Sequence, residues 1–162
     1  MQKHPLHFAL VLHMHQPRYN LNGPTYESDV ARDVFNQTLH PYTYPADMLR
    51  KDENARITLN FTGSLIEQMN ELASVGFDSR LNGLWDRYKE TRTLGRAEFT
   101  GCGYFHPIFP LLPEADRLKQ VEKHLSLFER TFGTKPEGFW LPELAFSPNV
   151  RSKSTRLNSS HT

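Results

Sequence analysis

Residues 56–76 read RITLNFTGSLIEQMNELASVG and contain the unit on which the fold depends. The first six residues alternate between polar and apolar side chains, which is the two-residue period of a β-strand. A Thr-Gly turn follows, after which apolar residues return at helical spacing: Leu65, Ile66, Met69 and Leu72. Ser64 and Glu67 have the spacing of a capping box, and Gly76 is a helix stop signal. This stretch predicts a strand, a tight turn and a helix.

The segments on either side repeat the order of strand and then helix. Leu6 to His15 alternates, with an apolar face and a mixed face that ends in His13 and His15. Further strands are predicted at AEFTGC (97–102) and GFWL (138–141). Helices are predicted over 81–94 and 114–132, the second ended by a glycine.

The region before the first helix is harder to interpret. Residues 18–40 are predicted to form a long loop, because Asn22-Gly23-Pro24 is a turn signal. A short helix is expected between His40 and Lys51, since Pro41 and Pro45 limit where a helix can start.

The predicted order of elements is strand, helix, strand, helix, strand, helix, strand. Such alternation implies βαβ units and a parallel sheet, hence an α/β fold. A short parallel sheet either closes as a small doubly wound domain or forms the first half of a barrel, which needs ~250 residues.

Composition excludes several classes of protein. The 162 residues include 19 Lys+Arg and 18 Asp+Glu, and a net charge of +1 gives no electrostatic case for binding nucleic acid or an acidic membrane. The single cysteine cannot form an internal disulfide, and no apolar run reaches the ~18 residues of a membrane span. Histidines interrupt the apolar start and no cleavage site follows it, which predicts a mature, cytoplasmic protein.

The end of the chain differs in character from the rest. From position 151 it reads RSKSTRLNSSHT, with one apolar residue and no periodicity. It resembles a translated cloning or adapter sequence. We therefore expect residues 1–151 to form the folded domain and residues 152–162 to be a non-native, disordered tail.

Polar side chains follow each predicted strand at its carboxyl end. They are His13 and His15 after the first strand, Asn60 after the second, His106 after the third and Glu143 after the fourth. Parallel α/β folds bind their ligands at this edge of the sheet. These residues are therefore the candidate site.

Each candidate has more than one interpretation. His13 and His15 share a face and can be metal ligands, a pair that binds sugar hydroxyls, or strand-end histidines bonded to backbone carbonyls. A metal site would need a third ligand. Glu143 lies in the apolar segment WLPELAF, where poor solvation would raise its pKa and suit it to nucleophilic or acid–base chemistry. It can equally cap a following helix. Cys102 is expected to be a core residue.

Three segments in order carry a family resemblance: HMHQP (13–17), GCGYFHPI (101–108) and GFWLPELAF (138–146). Together they resemble glycoside hydrolase family 57, over roughly residues 6–150. The resemblance implies an incomplete (β/α)7 barrel of which this chain is the first half, acting on α-glucan by a retaining mechanism without a metal or other cofactor. It also implies that Glu143 is the catalytic nucleophile. The substrate-binding residues would be His13, His15, His106 and Trp140.

The resemblance predicts a hydrolase or glucanotransferase of α-glucan metabolism. A retaining glycosidase needs a second carboxyl group about 5 Å from the first. In this family that group is an Asp on a later strand, and the residues after Glu143 include no Asp or Glu. We therefore expect this chain to be an inactive amino-terminal fragment. The alternatives are a metal-dependent carbohydrate deacetylase, an α-mannosidase-like barrel, or a non-catalytic carbohydrate-binding module.

Overall fold

The computed structural model describes residues 7–21, 26–148 and 150. For residues 26–28 it describes the backbone only. Leu6 and the predicted tail over 152–162 lie outside these residues. The elements, in chain order, are β1 (Val11–Met14), α1 (Tyr26–Lys51), β2 (Ile57–Phe61), α2 (Gly63–Ser74), α3 (Leu84–Thr93), β3 (Ala97–Gly101), α4 (Glu114–Phe132) and β4 (Gly138–Phe139). None of the helices in these ranges is long and apolar enough to cross a membrane.

The four strands form one parallel sheet whose spatial order is the chain order, β1-β2-β3-β4. This confirms the predicted fold class of parallel strands alternating with helices. In the register of the sheet, Asn60 on β2 pairs with His13 on β1 and with Thr100 on β3. Side chains at these matched positions share one face of the sheet.

The opposite face of the sheet packs against the helices and carries the core. Leu59, Phe61 and Phe99 are fully buried there. The Phe61 ring lies 5.0 Å from that of Tyr88 and 5.9 Å from that of Phe132. Aromatic rings at these separations bury large apolar areas and fix the position of α3 and α4 against β2.

Helix α1 contradicts the prediction of a loop over 18–40, because it starts at Tyr26 and includes Pro41 and Pro45. A proline inside a helix removes one backbone hydrogen bond and costs about 3 kcal/mol. The helix forms because it buries a stripe of residues at spacings of three and four: Ala31, Phe35, Leu39, Tyr42, Ala46 and Leu49. The packing of this stripe outweighs the effect of the two prolines.

Two local predictions around β1 and α2 were also wrong. The first strand spans Val11–Met14 rather than 6–15, and Phe8 is 87% exposed. Ser64 does not cap α2, which begins at Gly63. Its hydroxyl instead donates to the Gln16 carbonyl (3.0 Å), and its amide donates to the Tyr104 carbonyl (2.9 Å). Ser64 therefore ties the start of α2 to the loops that follow β1 and β3.

Helix α4 matches its prediction, spanning Glu114–Phe132 with Gly133 in the left-handed conformation at its end. Cys102 is confirmed as a core residue, since it is fully buried and burial raises the pKa of its thiol to about 12. Strand β4 is shorter than predicted and ends at Phe139.

The buried face of α4 includes His124, which leads to a prediction about pH. His124 is fully buried beside Phe128, and neither ring nitrogen has a hydrogen-bond partner among the described residues. Burial lowers its pKa from 6.5 to about 4, so the unfolded chain binds the proton more readily between these values. The free energy of unfolding should therefore be highest above pH 6.5 and fall toward pH 4.

The size of this effect is bounded by the pKa shift, which corresponds to at most about 3 kcal/mol for His124. Urea unfolding curves at pH 7.5, 5.5 and 4.5 measure it. The variant His124→Leu should show a shallower dependence on pH, with the remaining slope due to other groups. An unchanged slope would mean that His124 is protonated equally easily in both states.

Candidate active site

Four aromatic rings from three strand ends meet at the carboxyl edge of the sheet. His13 is the penultimate residue of β1 and His15 follows the strand, while His106 lies in the loop after β3 and Trp140 follows β4. The ring centroid of His106 is 4.7 Å from that of His13 and 4.3 Å from that of His15. Trp140 stacks on His13 at 5.5 Å. The structure thus brings together all four residues that the sequence predicted as substrate-binding, and we call them the ring cluster.

His13 is held by the neighbouring strand. Its Nδ1 lies 2.7 Å from Oδ1 of Asn60, which is fully buried. The Asn60 amide nitrogen donates to the carbonyls of Thr100 (2.8 Å) and Gly101 (3.2 Å) on β3. The Nε2 atom of His13 is buried and has no hydrogen-bond partner among the described residues. A buried polar atom without a partner is uncommon and is a sign of a functional role or of a bound water or ion.

His15 is held by the residue that follows β2. Its Nδ1 lies 3.1 Å from the hydroxyl of Thr62, which lies 3.3 Å from the hydroxyl of Ser64. Tyr42 on α1 donates its hydroxyl to the His15 carbonyl (3.0 Å) and fixes the backbone at this position. The ring of His15 is therefore oriented from one side and its backbone from the other.

His106 and Glu143 face each other across the site. The His106 Nδ1 lies 3.7 Å from the Glu143 Oε1, with 8% of the histidine side chain exposed and 66% of the glutamate side chain exposed. Glu143 therefore has an accessible carboxylate beside the ring cluster. Among the described residues, Glu143 lies in a single 3-10 turn, Pro142–Leu144, and its carboxylate contacts His106 rather than a helix amide.

The exposure of Glu143 corrects one prediction. The sequence predicted a poorly solvated carboxylate because its neighbours in the chain are apolar. The two large apolar neighbours on its carboxyl side instead point to solvent, since Leu144 is 69% exposed and Phe146 is 59% exposed. Proximity in sequence did not translate into a covering layer around the carboxylate.

His106 and Glu143 also have strained backbone conformations. Among the described residues, three that are not glycine have positive φ: His106 (57°), Glu143 (53°) and Leu144 (52°). A side chain in this region costs on the order of 1–2 kcal/mol, and such residues cluster at functional sites. The strain points to a functional requirement at this part of the sheet edge.

Two histidines of the cluster, His15 and His106, favour their neutral forms. Burial lowers the pKa of His15 to about 4, with further lowering by His106 and His13. Burial also lowers the pKa of His106, reinforced by His13 and opposed by Glu143. Neutral imidazoles can accept hydrogen bonds from hydroxyl groups, and Trp140 offers an apolar ring. In the described ranges, no group of three His, Cys, Asp or Glu residues is placed to hold a metal ion.

Sequence reasoning missed the residues that position the histidines. Asn60 was recognised as polar and at a strand end, but its bond to His13 was not anticipated. Thr62 was assigned only to a turn. A signal was present, because Asn60 and Thr62 have the same two-residue spacing as His13 and His15 on the neighbouring strand.

The chain is similar in sequence to two glucan-acting enzymes. Alpha-amylase 1 of Dictyoglomus thermophilum is 23% identical over 145 residues, which is 90% of this chain and 19% of that protein. The 4-alpha-glucanotransferase of Thermococcus litoralis is 26% identical over the same share of each. This chain thus spans about a fifth of the length of these curated relatives.

Solved structures show the same fold. The 4-alpha-glucanotransferase of Thermococcus litoralis matches with a TM-score of 0.66 and 22% identity, covering 88% of this chain and 20% of that one. A branching enzyme of Pyrococcus horikoshii matches with a TM-score of 0.64 and 19% identity, covering 83% of this chain and 34% of that one. In sequence, residues 9–155 of this chain match the family model described as Glycosyl hydrolase family 57. The chain therefore belongs to glycosyl hydrolase family 57.

Proposed function

We propose that this chain carries the nucleophile and part of the sugar-binding subsite of a retaining enzyme that hydrolyses or transfers α-glucan. The observation that carries the proposal is the contact of Glu143 with His106, 3.7 Å apart, beside the ring cluster. Family membership favours this function over a metal-dependent deacetylase, a mannosidase-like barrel or a binding module. A cytoplasmic location is part of the same proposal.

The chemistry follows from an accessible carboxylate. A Glu143 carboxylate oxygen attacks the anomeric carbon, the glycosidic bond breaks, and a covalent glycosyl-enzyme forms with inversion. Water or the hydroxyl of an acceptor sugar then displaces Glu143 with a second inversion, so the starting configuration is retained. The second carboxyl group, which protonates the leaving oxygen, is expected from the part of the relatives' length that this chain does not span.

The ring cluster would hold the sugar beside Glu143. His13 and His15, whose Nδ1 atoms contact Asn60 and Thr62, would accept hydrogen bonds from sugar hydroxyls through Nε2. Trp140 provides a ring on which a sugar can stack. The His106 Nδ1 lies 3.7 Å from the Glu143 Oε1, beyond hydrogen-bond distance, so His106 borders the nucleophile and limits the space around it.

Covalent labelling tests this proposal on the chain itself. In 5-fluoro-α-D-glucosyl fluoride, fluoride leaves with little need for protonation, so labelling depends chiefly on the nucleophile, and the second fluorine slows release of the sugar. We expect one adduct per chain, located by mass spectrometry on the tryptic peptide that contains Glu143. Maltotriose should slow the labelling by competing for the subsite.

Other outcomes would favour other functions. A chain that binds maltotriose but forms no adduct would behave as a binding module. An adduct on a different carboxylate would transfer the nucleophile role to that residue.

A further inference from the structure

The end of β2 and the residue after it supply one hydrogen-bonding side chain each for His13, on β1, and for His15, which follows β1. Asn60 is the register partner of His13. Thr62 follows Phe61, the partner of Met14, and its amide donates to the Met14 carbonyl (3.1 Å). The two side chains therefore meet the two histidines from the same direction, and each contacts Nδ1 rather than Nε2.

The partners of Asn60 determine which nitrogen of His13 carries the proton. The carbonyls of Thr100 and Gly101 only accept hydrogen bonds, so the Asn60 atom that faces them must be the amide nitrogen. The Asn60 Oδ1, which only accepts, then faces the His13 Nδ1 at 2.7 Å. This short contact requires a proton on Nδ1, because two acceptors at that distance would repel.

The hydroxyls next to His15 lead to the same result by a different route. The Ser64 hydroxyl donates its proton to the Gln16 carbonyl (3.0 Å), so it can only accept from Thr62. Directing the Thr62 proton to Ser64 is the arrangement that satisfies both contacts of the Thr62 hydroxyl, and its oxygen then accepts from the His15 Nδ1. The bonds form a one-directional chain from the His15 ring to the Gln16 carbonyl.

We propose that Asn60 and Thr62 are positioning residues that hold His13 and His15 in the Nδ1–H tautomer, so that both Nε2 atoms present lone pairs to the ligand. The recorded hydrogen bond of His15 leaves its Nε2 available, and the His13 Nε2 is buried without a partner among the described residues. The arrangement is a matched pair of acceptors two residues apart on one strand face.

A matched pair of acceptors selects the chemistry of its ligand. Two neutral imidazole lone pairs accept from hydroxyl groups and discriminate against groups that only accept, such as carboxylates and phosphates. The use of these lone pairs for sugar hydroxyls rests on the proposed function. The tautomers do not, because they follow from bonds within the protein.

Long-range ¹H–¹⁵N NMR spectra of the histidine side chains measure the tautomers directly. Free neutral histidine prefers the Nε2–H form, so a constraint on Nδ1 is visible as a departure from that preference. At pH 8 we expect His13 and His15 to show protonated Nδ1 and unprotonated Nε2, with assignment from His13→Asn and His15→Asn. Spectra with Nε2–H at both positions would overturn the proposal.

The variant Thr62→Val separates positioning from packing, because valine keeps the shape of threonine and removes the hydroxyl. His15 should then shift toward the Nε2–H form while the His13 signals stay in place as an internal control. The conservative variant Thr62→Ser should restore the signals of the original chain. A His15 tautomer unchanged in Thr62→Val would overturn the role of Thr62.

Binding of maltotriose, followed in the same spectra, distinguishes this inference from the proposed function. If the tautomers are as expected and maltotriose binds about tenfold more weakly to Thr62→Val, both hold; a loss of tenfold corresponds to about 1.4 kcal/mol, the size of one hydrogen bond. If the tautomers are as expected and maltotriose does not perturb either histidine, the positioning roles hold and the sugar subsite is wrong.

Discussion

Replacing Glu143 by glutamine is expected to reduce the rate of covalent labelling by 5-fluoro-α-D-glucosyl fluoride on the order of 10³-fold or more. Glutamine has nearly the same shape, but its amide oxygen is a poor nucleophile and carries no charge to stabilise an oxocarbenium-like transition state. The measurement is the time course of adduct formation by intact-protein mass spectrometry. Because the Glu143 side chain is 66% exposed, the substitution should leave the fold intact.

Two further variants serve as controls for the prediction about Glu143. Glu122→Gln changes an exposed carboxylate on α4 and should label at the original rate. Glu143→Asp keeps the carboxylate but withdraws it by one methylene, so labelling should slow strongly without a loss of maltotriose binding. Equal labelling rates for the original chain and Glu143→Gln would exclude Glu143 as the nucleophile.

Replacing Phe61 by alanine is expected to lower the free energy of unfolding by about 3–5 kcal/mol. Phe61 is fully buried on β2, where its ring contacts Trp85, Tyr88 and Phe132. The substitution removes the apolar ring and leaves a cavity that rigid neighbours on two helices cannot fill. Urea unfolding followed by tryptophan fluorescence at pH 7.5 measures the change.

Val75 provides the matched control for this loss. It is 63% exposed, so Val75→Ala should change stability by no more than about 0.5 kcal/mol. The two variants both shorten an apolar side chain and differ in burial. A loss below about 1 kcal/mol for Phe61→Ala would show that the rings around β2 repack freely.

Periodic segments of the sequence predicted their structures well. The alternation in RITLNF and the helix signals over 114–132 gave elements that the structure confirms, because burial on one face imposes a regular spacing. The prediction for the segment that forms helix α1 was wrong, and the reason is also physical. The prolines at 41 and 45 were weighted by their local cost, whereas the buried stripe from Ala31 to Leu49 stabilises the helix through contacts that depend on the assembled fold.

For the candidate site too, some residues could be predicted from the sequence and others could not. The three histidines of the ring cluster were predicted from their places at strand ends, since strand direction alone brings those ends to one edge, whereas Trp140 was implied by the family resemblance. The partners could not be predicted in the same way. Ser64 has the spacing of a helix cap, yet its hydroxyl bonds the Gln16 carbonyl, because the loop after β1 passes within reach of it. Long-range proximity of this kind depends on the loop path rather than on local pattern.

The identity of spatial and chain order in the sheet has a consequence for how the protein is made. His13 and Asn60 are 47 residues apart, and Asn60 and Thr100 are 40 residues apart, so each new strand pairs with the one synthesised just before it. A ribosome takes roughly two to eight seconds to add 40 residues, far longer than a helix needs to form. Each unit can therefore settle on its predecessor as it emerges, and the histidines are in place before Glu143 leaves the exit tunnel.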